Sequence, residues 1–265
     1  MTTLADCWKY TFQHHFKFQS SAKTTRGYAQ HYRLTSPITE LGKGAWWIEL
    51  QTELRGKGLK PSTIHRIISA VRKTVDYTRR AGMHTVCVPE LDLPKIKARR
   101  REHASRDQLQ MLMSHSSEPL QAAILVSAYT GLRRGELLAL QPQDVIDDCL
   151  HVGGREDFET KGEYRVIPIH PIIKDLIMCR LSNTYLFGDE WLNSDQLYGA
   201  FKKARATAGL DRLVWHSLRH SFGSFLAEKA SVDQIRALMG HKNLATSQIY
   251  IHHNPNRNRN AVLSI

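Results

Sequence analysis

Apolar residues in the first eighty positions recur with the period of a helix. The clearest run is Ile64, Ile67, Ile68, Val71 and Val75, at offsets of 3, 4, 7 and 11 from the first, which lines one helical face. Pro61 suits the first turn of that helix, and Gly82 ends it. Arg66, Arg72, Lys73, Arg79 and Arg80 occupy much of the remaining surface. Three earlier helices are expected, over residues 4–16, over 28–33 ending before Pro37, and over 44–55. The last carries Trp46, Trp47, Ile48, Leu50 and Leu54.

The pattern restarts at Ser105, which with Gln108 forms a capping box. Residues 121–129 are apolar and Ala-rich, Gly131 breaks the run, and a new helix begins at Gly135. Between 149 and 170 the character changes. Leu150, Val152, Tyr164, Val166 and Ile167, with Gly153-Gly154 and Lys161-Gly162 as turn signals, predict a short antiparallel sheet. From Ile172 the pattern is helical again. Residues 215–229 place Leu218, Phe222, Phe225 and Leu226 on one side. Ser231 caps a short helix carrying Ile235 and Leu238, which Gly240 closes, and residues 244–250 predict one more, with Tyr250 at its end. Between the two halves, Pro89 and Pro94 interrupt structure, and Lys95, Lys97, Arg99, Arg100 and Arg101 form a charge run. The expected organisation is a helical domain over 1–88, a basic linker over 89–104 and a second domain over 105–265. The fold class is mainly α with a small antiparallel β-sheet.

Composition narrows the function. At 265 residues, 42% hydrophobic and 23% charged, the chain reads as a globular protein with a core that needs no staples. No apolar run approaches the ~18–20 residues of a membrane span, and the N-terminus carries no signal-peptide pattern. The four cysteines are far apart and form no CxxC pair, so they read as reduced thiols of a cytoplasmic protein. The net charge is +12, unevenly placed. Residues 1–102 carry +11 and residues 103–265 carry +1. A basic module joined to a neutral one points to a part that grips a polyanion and a part that does chemistry.

The chemistry is suggested by basic clusters in a fixed order: Thr-Gly-Leu-Arg-Arg-Gly-Glu at 130–136, Thr-Lys-Gly at 160–162, His-Ser-Leu-Arg-His at 216–220 and Met-Gly-His at 239–241, with Tyr250 nine residues on. Breaking a DNA phosphodiester needs a nucleophile, neutralisation of the non-bridging oxygens, a base and an acid. No close-set carboxylates near these residues suggest a Mg²⁺ site, so no metal or cofactor is expected. His216, Arg219 and His220 share one helical face. Two histidines at that spacing also fit a zinc pair, but an arginine lies between them and no third ligand is placed. Alone, Tyr250 reads as a core tyrosine and His220 as a packed or capping histidine.

Together these motifs, in order over about 105–253, resemble those of the tyrosine recombinases, or phage integrases. Thr160-Lys161-Gly followed by Arg165-Val-Ile-Pro-Ile is similar to the family's β-hairpin, whose turn carries a lysine. The resemblance implies a SAM-like helical core-binding domain followed by an α+β catalytic domain. It implies that Tyr250 attacks the scissile phosphate, giving a 3′-phosphotyrosyl bond and a free 5′ hydroxyl. Arg133 and Arg219 would clamp the non-bridging oxygens, and Lys161 would protonate the leaving oxygen. His216 would accept the tyrosine proton or bond the phosphate, His241 would bond a phosphate oxygen, and Glu136 would orient Arg133. Arg134 stands beside Arg133, and the Gly-x-Arg spacing favours Arg133. Arg165 lies close to Lys161.

The implied activity is site-specific recombination, integrating or excising a mobile element through a Holliday junction without metal or ATP. The implied partners are double-stranded DNA with inverted-repeat core sites, three further copies of the chain on that DNA, and accessory directionality or bending factors. The basic residues from Arg66 to Arg101 named above would contact DNA. With about a hundred residues before the second domain, the expectation is a two-domain recombinase or an integrase lacking an arm-binding part. Relaxation of supercoils in the manner of a type IB topoisomerase, and DNA binding without cutting, are the alternatives.

Overall fold

The computed structural model describes residues 2–19, 22–95, 102–158, 160, 163–191, 193–241 and 246–247. The chain divides into two compact units near residue 99.

The first unit is helical, with α1 (Leu4–His14), α2 (Ala22–Tyr28), α3 (Gly44–Gly56) and α4 (Pro61–Arg80). Thr3 opens α1 with a capping box. Its hydroxyl accepts from the Asp6 N–H, and the Asp6 carboxylate accepts from the Thr3 N–H at 2.9 Å, which satisfies donors a helix start leaves open. Helix α4 buries Ile64, Ile67, Ile68, Val71 and Val75 completely and packs on α1 and α3. Its opposite side exposes Arg66, Arg72, Lys73 and Arg80, with Arg79 half-buried. The expected helix over 28–33 differs in place. The observed helix ends at Tyr28 and tightens into a 3-10 turn over Ala29–His31. Tertiary contacts take the chain beyond it. Tyr32 sets its ring edge-on to Trp8 with centroids 4.9 Å apart, and Arg33 reaches Glu49 and Glu53 at 2.7 and 3.0 Å.

The stretch after α4 is held at each end. Leu91 and Leu93 pack on the first unit's core, and Gln51 Nε2 donates to the Asp92 carbonyl. Ala104 is fully buried in the second unit, where the Ser221 hydroxyl meets both its N–H and its carbonyl at 2.9 Å. Lys97, Arg99, Arg100 and Arg101 lie outside the described residues.

The second unit holds α5 (Arg106–Ser114), α6 (Glu118–Thr130), α7 (Arg134–Ala139), β1 (Val145–Ile146), β2 (Cys149–Val152), β3 (Arg165–Pro168), α8 (Pro171–Met178), α9 (Ser194–Thr207), α10 (Trp215–Leu226) and α11 (Val232–Met239). Helix α6 is apolar on nearly every side, as a helix surrounded by protein should be. It packs against α5, α8, α9 and α10. The three strands pair antiparallel in the order β1-β2-β3, with Leu150 opposite Ile167 and Val152 opposite Arg165. Strand β1 was not foreseen from sequence. Its two-residue turn to β2 uses Asp147 and Asp148, both at positive φ, where asparagine and glycine are the usual signals.

Gly131 fixes the exit from α6. It adopts the left-handed conformation, φ +66°, and a Cβ there would stand 2.5 Å from the Phe222 ring of α10. Gly135, inside α7, has nothing within 4 Å of its Cβ direction. Gly131→Ala should cost about 2 kcal/mol or more through forced backbone and overpacking, lowering the melting temperature by several degrees. Gly135→Ala should leave it unchanged or raise it. Thermal unfolding followed by circular dichroism tests this, and equal melting temperatures for the two variants would remove Gly131 as a constraint.

Candidate active site

The left-handed turn at Gly131 delivers the chain to Arg133, the residue that caps α7. The Arg133 N–H donates to Glu136 Oε2 at 2.8 Å, and its Nη1 donates to Oε1 at 2.6 Å. One carboxylate thus fixes both the backbone and the guanidinium of Arg133, which stays partly open to solvent. Arg134 turns away from this cluster. It lies 4.8 Å from the Tyr198 ring centroid and 3.6 Å from Asp195, both on α9. The structure therefore separates the two neighbouring arginines, and Arg133 is the one joined to Glu136.

Arg219 projects from α10 and is buried. Its Nη1 donates to the Gly131 carbonyl at 2.5 Å, and its Nη2 donates to the Met239 carbonyl. Gly131 lies two residues before Arg133, and Met239 two residues before His241. One guanidinium therefore ties together the segments that carry two other candidate residues. Gly240 closes α11 in the left-handed conformation and places His241 in the interior, where its Nδ1 is hydrogen-bonded to Ser247 Oγ at 2.8 Å.

His216 and His220 occupy one face of α10. Their rings meet edge-on with centroids 4.7 Å apart, His216 exposed and His220 buried. His220 is packed, and His216 is the more accessible. Among the described residues no three His, Cys, Asp or Glu side chains gather as a metal site would need. No helix of the described residues is long and apolar enough to cross a membrane. Of the expected helix over 244–250, only Thr246 and Ser247 are described. Lys161 and Tyr250 lie outside the described residues. In the first unit, Lys95 is exposed, as are four of the five basic residues of α4.

Glu136 is the electrostatic centre. Burial alone would push its carboxyl up. The hydrogen bond and charge of Arg165, then the backbone N–H and charge of Arg133, overcome burial and lower it from 4.5 to about 2. Arg165, buried on β3, holds Glu136 Oε2 at 2.7 Å. Sequence reasoning did not assign Arg165 a part in the cluster. The signal was the two-residue alternation of β3, which puts Arg165 on the same inward face as Ile167. Arg155 was also missed. It joins the chain after β2 to the end of α7 and the segment beyond it, donating to the Ala139 carbonyl and to Gln141 Oε1.

Comparisons with known proteins identify the family and the fold. The model of the phage integrase family matches residues 103–257. The chain is 27% identical to tyrosine recombinase XerC of Shewanella sp. (strain W3-18-1), over 94% of this chain and 89% of that one. Among solved structures it is similar in fold to the Tn1549 transposon integrase in complex with circular intermediate DNA. That match has a TM-score of 0.76 and 18% identity over 99% of both chains. It is also similar to a lambda integrase tetramer bound to a Holliday junction, with TM-score 0.74 and 18% identity over 92% of this chain and 78% of that one.

The low Glu136 pKa makes stability depend on acid. The folded carboxyl lies below its ordinary 4.5, so its contribution is complete above that pH and is lost as pH falls towards 2. A shift of this size corresponds to on the order of 3 kcal/mol. Glu136→Gln should therefore weaken the protein at pH 7, and the gap from the parent should close between pH 4.5 and 2. Urea unfolding at pH 7, 4 and 2.5 measures it. A gap that stays constant across this range would show that the ion pairs do not set the carboxyl's charge.

Proposed function

The chain belongs to the phage integrase family, and on that premise we propose that it is a site-specific DNA recombinase that integrates or excises a mobile element. The observation that carries this reading is the convergence of Arg133, Glu136, Arg219 and His241 through the two carbonyls that Arg219 holds. Two guanidinium groups set in place before DNA arrives suit a phosphate whose charge grows in the transition state. The basic α4 face and the Lys95–Arg101 run supply contacts to the DNA backbone.

In the proposed reaction the Tyr250 hydroxyl attacks the scissile phosphorus, and the 3′ end becomes linked to the tyrosine. The bond to the 5′ oxygen breaks, and Lys161 gives that oxygen its proton. Arg133 and Arg219 neutralise the non-bridging oxygens, His241 adds a hydrogen bond, and His216 takes the tyrosine proton. Rejoining reverses these steps with the 5′ hydroxyl of the partner strand. The phosphotyrosyl bond conserves the energy of the phosphodiester, so resealing needs no ATP, and the arginines supply the positive charge that a metal would otherwise bring. Four copies exchanging strands on two inverted-repeat sites complete the reading, supported by the lambda integrase tetramer on a Holliday junction. Accessory proteins that bend DNA or set direction fit the same scheme.

Tyr250→Phe should bind DNA normally and form no covalent adduct; a surviving adduct in a denaturing gel would reject the nucleophile. Arg133→Ala should retain the fold and lose at least about a hundredfold in cleavage, the scale of one lost transition-state donor. Undiminished cleavage of a suicide substrate would reject the clamp. Relaxation of supercoils with no recombinant product would point to topoisomerase action instead.

A further inference from the structure

Arg165 occupies a place that simple neutralisation of Glu136 does not explain. Its side chain is 2% exposed. Nη2 donates to Glu136, while Nε and Nη1 have no hydrogen-bond partner among the described residues. Leaving buried donors unpaired is costly, and Arg133 already gives that carboxylate a cation. On its other side Arg165 presses on the backbone that presents His241. A Cβ built on Gly240 would stand 3.0 Å from Arg165 Cδ, 3.2 Å from its Nη1 and 3.2 Å from the Glu163 carbonyl. Strand β3, which starts at Arg165, packs against α11. Val152 faces Arg165 across the ladder, so the β2–β3 pair fixes where this arginine stands.

We propose that Arg165 is a positioning residue for strand cleavage, locking Glu136 so that it aims Arg133 while setting the depth of the Gly240–His241 turn. The proposal rests on the reading of Arg133 and His241 as phosphate ligands. Arg165 itself touches no DNA. It acts on one phosphate ligand through a carboxylate and on the other through a close backbone approach. The left-handed φ of +59° at Gly240 and the packed guanidinium together demand glycine there. Without Arg165 the Glu136 carboxyl would lose its buried cation and would protonate at higher pH, releasing Arg133 as the solution is acidified.

The test compares the parent with Arg165→Lys, Arg165→Met and the double variant Arg165→Met/Glu136→Gln, which removes both buried charges and so protects folding. The probe is a nicked duplex made from the DNA flanking the coding sequence, on which single-turnover adduct formation and equilibrium binding are measured from pH 5 to 8. Arg165→Met should bind within about twofold of the parent yet form adduct at least tenfold more slowly. Its rate should fall further as pH drops, while the parent's is flatter over the same range. Arg165→Lys should recover most of the rate and of the flat profile. The double variant should be no slower than Arg165→Met alone, because both changes cut the same connection. A folded Arg165→Met or double variant at the parental rate overturns the proposal. So does a slowed Arg165→Met with the parent's pH profile, or a multiplicative loss in the double variant. If Arg165→Met does not fold, Arg165→Lys and the double variant decide. If the parent itself forms no adduct that Tyr250→Phe abolishes, the recombinase reading fails instead, which separates the two failures.

Discussion

A buried cation holding two main-chain carbonyls is the constraint on which the second unit depends. Removing a guanidinium from water is expensive unless its donors are met. Arg219 meets them with the carbonyls of Gly131 and Met239, groups that helix ends leave without intrahelical partners. The same contact that makes Arg219 tolerable therefore satisfies the C-terminal ends of α6 and α11. It also fixes the spacing between them, because a rigid planar group offers its donors in a set geometry. Both helices close through a left-handed glycine, Gly131 and Gly240. Each glycine then hands the chain to a candidate site residue within two positions, Arg133 and His241.

The second set of contacts manages charge. Arg133, Arg165 and Arg219 would repel one another in a low-dielectric interior, and a shared carboxylate and two main-chain carbonyls offset part of that repulsion. Glu136 joins Arg133 to Arg165, and that sharing drives its carboxyl down to about 2. Arg219 is anchored by main-chain dipoles at Gly131 and Met239.

Much of this architecture is legible in the sequence, for identifiable reasons. The i, i+3, i+4 pattern of α4, its Pro61 start, the capping box at Ser105 and the cap at Ser231 are local signals, and the elements form where those signals lie. The order of the Arg133, Arg219 and His241 motifs is also local, so family membership could be read directly. What the sequence concealed depends on distant contacts. The end of α2 is set by Tyr32 and Arg33 reaching partners elsewhere in the first unit. The Asp147-Asp148 turn lacks the glycine that would have announced β1. The choice between Arg133 and Arg134 needed Tyr198 and Asp195 on α9, 60 or more positions away. Arg165 was hidden for a different reason, because an arginine at an inward strand position is read by habit as exposed.

The arrangement also explains how the cluster can be built before any substrate is present. Catalysis gains most when dipoles and charges already point at the atoms that will carry charge, since nothing then has to reorganise during the reaction. Arg133 is held at its backbone and at its guanidinium by one carboxylate. Arg219 is held by two carbonyls, and His241 by a glycine turn and by Ser247. An arginine has five N–H donors, and the contacts to Glu136 fix the orientation of Arg133 with only some of its own. On the proposed reading, the remaining capacity of the partly exposed Arg133 would meet an incoming anion with its direction already set by the buried Glu136 carboxylate.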